Sequence, residues 1–182
     1  MAIVWYIYNM PNNAILLLIG PSGAGKSTVS RKLAKQNNSV VIDIEHINFM
    51  FVNGFHSHAD PNRSKTLTFT SWQQSGEAIG LLAKHLKNTG QNVIIHGHVT
   101  DELIRSIEVI TNIDFKILLL PTIETTLLRD KVRGDDMTMG DEMVRNHHKY
   151  FTDNQFSGFY TLDSTNDSVD QTIETIIELI RL

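Results

Sequence analysis

Cysteine is absent from the chain. That excludes disulfides and thiolate metal centres and is compatible with a reducing compartment, the cytoplasm being the default expectation. Blocks of one charge are missing too: the formal net charge is −4, with acidic and basic residues interspersed. No polybasic face therefore draws the chain to DNA or anionic lipid by bulk charge, which argues against a nucleic-acid partner short of a local groove. No apolar segment reaches the ~18 residues of a membrane-spanning helix. The apolar run Ala2 to Tyr8 lacks a basic flank and is too short for a typical signal sequence, so an extra edge strand or a docked tail is expected there. Internal repeats and low-complexity tracts are also missing. What is present is a chain of 182 residues with 41% hydrophobic content, enough for one α/β domain with a two-sided core and marginal for two. Residues 1–182 are accordingly read as one domain.

The segment Ile15 to Thr28 reads ILLLIGPSGAGKST. A buried-strand signal, Ile15 to Ile19, runs directly into Gly20, four residues, Gly25, Lys26 and Ser27, the spacing G-x-x-x-x-G-K-[ST] of a phosphate-binding loop. Glycines let backbone N–H groups close around phosphate without a Cβ in the way. A helix starting near Lys26 adds its unpaired amides and the positive end of its dipole. Gly20, Ser22, Gly23, Ala24, Gly25, Lys26, Ser27 and Thr28 are thus candidates to hold a nucleoside triphosphate. Lys26 is expected to reach the β- and γ-phosphates, and the Ser27 hydroxyl to bind Mg²⁺. Val29, Leu33 and Ala34 continue the segment on one helical face, so motif and scaffold agree.

Further apolar runs fall at Val40 to Ile44, Val93 to Ile95, Phe115 to Leu120 and Phe159 to Leu162, a βαβ series with a parallel sheet. Helices are expected over Lys26 to Gln36, Ser71 to Asn88, Asp101 to Ile110, Ile123 to Arg133, Asp141 to Phe151 and Ser168 to Leu182, and an irregular excursion over Asn53 to Thr70. Ligands of such sheets sit beyond the carboxyl ends of the strands. Two carboxylates, Asp43 and Glu45, follow the second run at alternate positions, which on an extended chain places both on one side. One would hold Mg²⁺ and the other accept the proton of an attacking hydroxyl. Alternatively both are solvated at a strand end, capping the next helix.

With Asp43-Ile44-Glu45 following the phosphate loop, the chain resembles the small P-loop kinases, the group of shikimate kinase, gluconate kinase, chloramphenicol phosphotransferase and adenylate kinase. The resemblance covers most of the chain. It implies a three-layer α/β/α sandwich with a five-stranded, mainly parallel sheet in the order 2-3-1-4-5, a lid, and ATP and Mg²⁺ as cofactors. The shikimate kinase D-x-D pattern implies Asp43 near Mg²⁺ and Glu45 on the acceptor, with Glu in place of the second Asp; the base is Glu45 or Asp43. Leu127 to Asp136, followed by Arg145 and Tyr150, is similar to the lid of these kinases, here about residues 129–145. Arg133 and Arg145 match the arginines that cross the transferring phosphoryl group, although the interval from Asp136 to Arg145 is one residue longer. Arg129 lies four residues before Arg133 and on a helix would share its face. A guanidinium forks onto two phosphate oxygens, which suits all three to nucleotide binding or catalysis.

The third run lacks a terminal aspartate of the Walker B type and ends in His96-Gly97-His98. Asp43 is expected to compensate, and His96 and His98 to line the acceptor pocket. His56, His58, His147 and His148 are read as exposed, Trp72 as a packing anchor, and Asp163-Ser164-Thr165 as the loop beside the adenine. The expected function is transfer of the γ-phosphoryl group of ATP to a small-molecule hydroxyl or phosphate acceptor. The alternatives are a nucleoside, nucleotide or 5′-hydroxyl polynucleotide kinase, and a nucleotide-dependent switch. Against a GTPase switch, the chain has no N-K-x-D tetrad and no D-x-x-G segment. The acceptor pocket falls to residues 49–70, His96 to Thr100 and the lid, which carry no recognisable code.

Overall fold

A computed structural model describes residues 10–51, 65–133 and 138–181. Strands β1 (Ile15–Ile19), β2 (Val40–Asp43), β3 (Val93–Gly97), β4 (Phe115–Leu119) and β5 (Tyr160–Leu162) form one sheet in the order β2-β3-β1-β4-β5. All neighbouring pairs are parallel, so the expected topology is the observed one. Crossovers are made by α1 (Lys26–Asn37), α3 (Lys65–Asn88), α4 (Asp101–Ile110), α5 (Ile123–Lys131) and α6 (Asp141–Asp153), with α2 (Ile44–Phe49) directly after β2 and α7 (Val169–Leu179) closing the fold.

The strands are short, and the central β1 is apolar and buried throughout because both sheet faces are covered there. Alternation along β1 divides the core: Ile15, Leu17 and Ile19 join Trp72, Ile79, Leu103, Ile107 and Phe151 on one face. Leu16 and Leu18 join Val29, Leu33, Ile173 and Ile176 on the other. Between α3 and α4 the backbones approach so closely that a Cβ on Gly76 would lie 2.6 Å from the Leu103 carbonyl oxygen. Helix starts follow local capping chemistry. Thr100 and Thr122 accept from Leu103 N and Thr125 N, and Ser168 with Gln171 forms a reciprocal capping box on α7.

Several sequence expectations need correction. Asp43 and Glu45 do not alternate along one strand: β2 stops at Asp43, whose Oδ1 accepts the Glu45 amide at 3.0 Å and caps α2. The Asp43 carboxylate competes for the backbone amide that would continue the ladder, so the chain turns helical at once. Residues 65–70, expected to be irregular, are the first turns of α3. Helix α5 ends at Lys131, so Arg133 sits in the following turn and does not share a helical face with Arg129. The run Ala2 to Tyr8, the remainder of the excursion including His56 and His58, and Gly134 to Asp136 of the lid lie outside the described residues. Among the described residues no helix is long and apolar enough to cross a membrane.

Because every strand runs the same way, Gly20, Asp43, His98, Pro121 and Asp163 all fall at one edge of the sheet. That edge is where the candidate residues meet.

Candidate active site

The loop between β1 and α1 is shaped by contact as much as by its glycines. Gly23 has φ +84°, and a Cβ there would lie 2.3 Å from the Thr126 carbonyl oxygen of α5, so no side chain fits. Gly25 opens α1 without a side-chain cap, leaving the first amides of the helix for an anion. Lys26 is buried, and its Nζ donates to the carbonyl oxygens of Gly20 at 2.7 Å and Pro21 at 2.9 Å. Burial pulls its pKa from the ordinary 10.5 down to about 8; the Arg133 cation acts in the same direction, while the Glu45 and Asp43 carboxylates act against it. This is a desolvated cation that gains from a neighbouring anion.

The two carboxylates approach Lys26 from β2 and α2. Asp43 is the register partner of His96 across β2 and β3. Its Oδ2 stands 3.7 Å from His96 Nε2 and 3.9 Å from His46 Nδ1. His96 is buried, and burial holds its pKa well below the ordinary value despite Asp43. It is therefore a neutral imidazole at pH 7. Glu45 is exposed in the first turn of α2, and its carboxylate makes no hydrogen bond or ion pair with a described residue. Ser27 lies beside Lys26 in the first turn of α1.

The other wall comes from α5, α6 and the loop after β5. Arg129 donates through Nη2 to the Ser164 carbonyl oxygen at 2.8 Å and through Nη1 to that of Ala24 at 3.4 Å, bridging the phosphate loop to the segment Asp163-Ser164-Thr165. That segment is itself turned by the Asp163 carboxylate, which accepts the Thr165 amide at 2.9 Å. Arg133, close enough for its charge to act on Lys26, stands 3.9 Å from Asp130 Oδ1. Asp130 is buried and its Oδ2 accepts the Met139 amide at 3.0 Å. Helix α6 turns two histidines inward. His147 Nδ1 shares a hydrogen bond with Ser22 Oγ at 3.1 Å, and His148 Nε2 pairs with the Pro121 carbonyl oxygen at 2.9 Å. His147 also stacks on His98, with ring centroids 4.9 Å apart, and His98 is enclosed by Trp72, Tyr150 and Phe151.

The AAA domain family matches residues 15–129, from the first residue of β1 to Arg129. The chain belongs to this family. Its fold is that of the small P-loop kinases. It is similar to an unliganded sugar kinase from Janibacter sp. HTCC2649, with TM-score 0.70 and 12% identity over 92% of this chain and 94% of that one. Thymidylate kinase from Candida albicans gives TM-score 0.69 and 15% identity over 94% and 92%. Shikimate kinase from Acinetobacter baumannii in complex with shikimate gives 0.62 and 16% over 92% and 93%. At these identities the likeness is one of fold. No curated protein matches the chain significantly.

Of the residues singled out from sequence, Asp43, Glu45 and Arg133 lie close enough to Lys26 for their charges to act on it, and Arg129 braces the phosphate loop. Arg145 does not join them: it is exposed on α6 and makes no ion pair with a described residue. His147 and His148, read from sequence as exposed, are half-buried and hold α6 against the sheet edge. The signal was available in the spacing Val144, His147, His148, Phe151, which is one helical face at i, i+3, i+4 and i+7. Polar residues on an apolar stripe read as exceptions when taken singly. Trp72 is the packing anchor expected, and Asp130, not singled out, is the buried acid that holds the residues flanking it.

Proposed function

We propose that the chain is an ATP-dependent kinase that transfers the γ-phosphoryl group to a hydroxyl or phosphate of a small-molecule acceptor, in the cytoplasm. The observation that carries this reading is the charge convergence at Lys26. Two carboxylates and Arg133 act through their charges on a buried cation with a lowered pKa, beside a loop with open helix amides. Phosphoryl transfer asks mainly for positioning and charge neutralisation, and this arrangement offers both. The amides of Gly20 and of Ser22 to Thr28 would cradle the phosphates, with Lys26 leaving the Gly20 and Pro21 carbonyls for phosphate oxygens. Arg133 would face the transferring group, with Arg145 in reach only if α6 turns.

The donor chemistry available for a metal is a hydroxyl and a carboxylate, Ser27 and Asp43, hard oxygens that suit Mg²⁺ completed by phosphate and water. Among the described residues there is no group of three or more His, Asp or Glu able to hold a metal by protein alone. When bound, Mg²⁺ would neutralise charge on the phosphates. Asp43 already spends Oδ1 on the α2 cap, so we assign the base to Glu45, whose charge acts on Lys26 and whose carboxylate has no hydrogen bond or ion pair among the described residues. His96 stays neutral behind Asp43 without hydrogen-bonding to it, while His98, boxed by aromatic rings, would lie on the acceptor side.

The test is acceptor-stimulated ADP release across sugars, nucleosides, nucleoside monophosphates, shikimate-like acids and aminoglycoside-like alcohols, with Lys26→Ala as blank. Glu45→Gln should lower kcat at least ~100-fold with little change in ATP affinity, the usual scale for a positioned base. Asp43→Asn should raise the Mg²⁺ requirement as well. Normal turnover in both carboxylate variants refutes these roles. Hydrolysis indifferent to every acceptor but altered by a protein partner would favour a nucleotide-dependent switch, and acceptor binding that weakens steeply with salt would favour a polynucleotide end.

A further inference from the structure

Helix α6 meets the phosphate loop through His147, the inner residue of a stripe that also carries Val144 and Phe151. Arg145, two residues earlier, is turned about 200° around the helix axis from it, which is why the arginine is in solvent and the imidazole is at the loop. The ring is held on two sides, by Ser22 Oγ at 3.1 Å and by the His98 ring stacked at 4.9 Å and 18°. It also lies within the field of the Lys26 ammonium.

Resting on the nucleotide-binding reading above, we propose that His147 is a phosphate ligand of this site. When a nucleoside triphosphate enters the loop, its imidazole leaves the Ser22 hydroxyl, takes one proton from solvent and donates to an oxygen of the phosphates that Lys26 also meets. Two independent features support this. The hydrogen bond to Ser22 joins positions 125 residues apart and places a ring nitrogen on the loop segment whose amides face the anion. The stack on His98, itself fixed edge-on by Trp72 and Phe151, holds the ring plane while the nitrogen exchanges one partner for another.

The titratable groups that act on the ring are Lys26 on α1, through its charge, and His98 after β3, through the stack. In the empty site burial, then Lys26, hold His147 below its ordinary pKa, so the ring is neutral near pH 7. The negative charge of a triphosphate reverses the sign of the local field and favours the imidazolium. Nucleotide binding is then accompanied by proton uptake at α6.

The experiment uses the full chain and a non-hydrolysable ATP analogue with Mg²⁺, by calorimetry in buffers of different ionisation enthalpy and by NMR of ring-labelled histidines with and without the analogue. The wild type should take up more protons on binding than His147→Gln. The variant should bind about tenfold more weakly at about pH 6, the scale of one charge-assisted hydrogen bond, and nearly equally at about pH 8. The His147 ring signal should titrate at a higher midpoint in the complex than in the free protein, which tests the wild type even if the variant fails to fold. Equal proton uptake by both proteins, or a midpoint unmoved by the analogue, overturns the role of His147 while leaving the nucleotide site standing. No binding of the analogue to the wild type overturns both.

Discussion

Lys26→Met tests the electrostatics of the site through folding stability, without an acceptor. The substitution keeps an unbranched apolar stem and removes the ammonium. Lys26 holds its proton less tightly folded, at about 8, than in its ordinary state at 10.5. At one pKa unit per ~1.4 kcal/mol, that difference makes the buried ammonium unfavourable by about 3 kcal/mol at neutral pH. The sign follows from linkage: between the two values the unfolded chain binds more protons than the folded one, so stability rises with pH across that interval. The penalty is present in full below about 8 and falls to about 1.4 kcal/mol near pH 9.5. Methionine loses the hydrogen bonds to the Gly20 and Pro21 carbonyls, offsetting part of the gain by about 1 to 2 kcal/mol. The variant should therefore match or exceed the wild type in stability at pH 7. Its advantage should shrink by about 2 kcal/mol between about pH 7 and 9.5, because only the wild type carries the titrating group. Urea unfolding of both proteins at the two pH values reads this directly, and the difference between them cancels other titrations, including that of Tyr150, whose pKa burial pushes up to about 12. A wild-type advantage at pH 7, or a difference that does not move with pH, would refute the account of Lys26 as a strained cation awaiting phosphate.

Gly76→Ala should destabilise by about 1 to 3 kcal/mol, an overpacking cost that outweighs the better helix propensity of alanine, since the new methyl would meet the Leu103 carbonyl at 2.6 Å; the urea midpoint would fall with the slope unchanged. Asp130→Ala should cost about 1 to 2 kcal/mol by releasing the Met139 amide. It should also raise amide exchange at residues 138–140 more than in β1 or β3, a contrast that a purely global loss would not give.

The fold was legible in the sequence wherever a local rule acted alone. Five apolar runs marked the strands, their spacing required crossovers, and the loop motif fixed the first βα unit to within a residue. What failed did so where local chemistry competed. Asp43 and Glu45, read as alternating on an extended strand, instead flank a helix start that the Asp43 side chain caps, the alternative reading of the pair, and a six-residue helix carries too little period to announce itself. Of the candidate site, Lys26, Asp43, Glu45 and Arg133 could be nominated from sequence because phosphate chemistry asks for those residue types near that motif. The mutual placement of α5 and α6 was not.

By itself, the sequence determined a phosphate-binding loop, a parallel sheet and the residue types that gather at its carboxyl edge, since each depends on neighbours within a few positions. Only the tertiary structure decided that Lys26 is dry enough to lose part of its basicity, that His147 and not Arg145 faces the loop, and that Asp130 is buried. Desolvation and helix rotation are properties of what packs against a residue, and for His147 the hydrogen-bond partner lies 125 residues away in the chain.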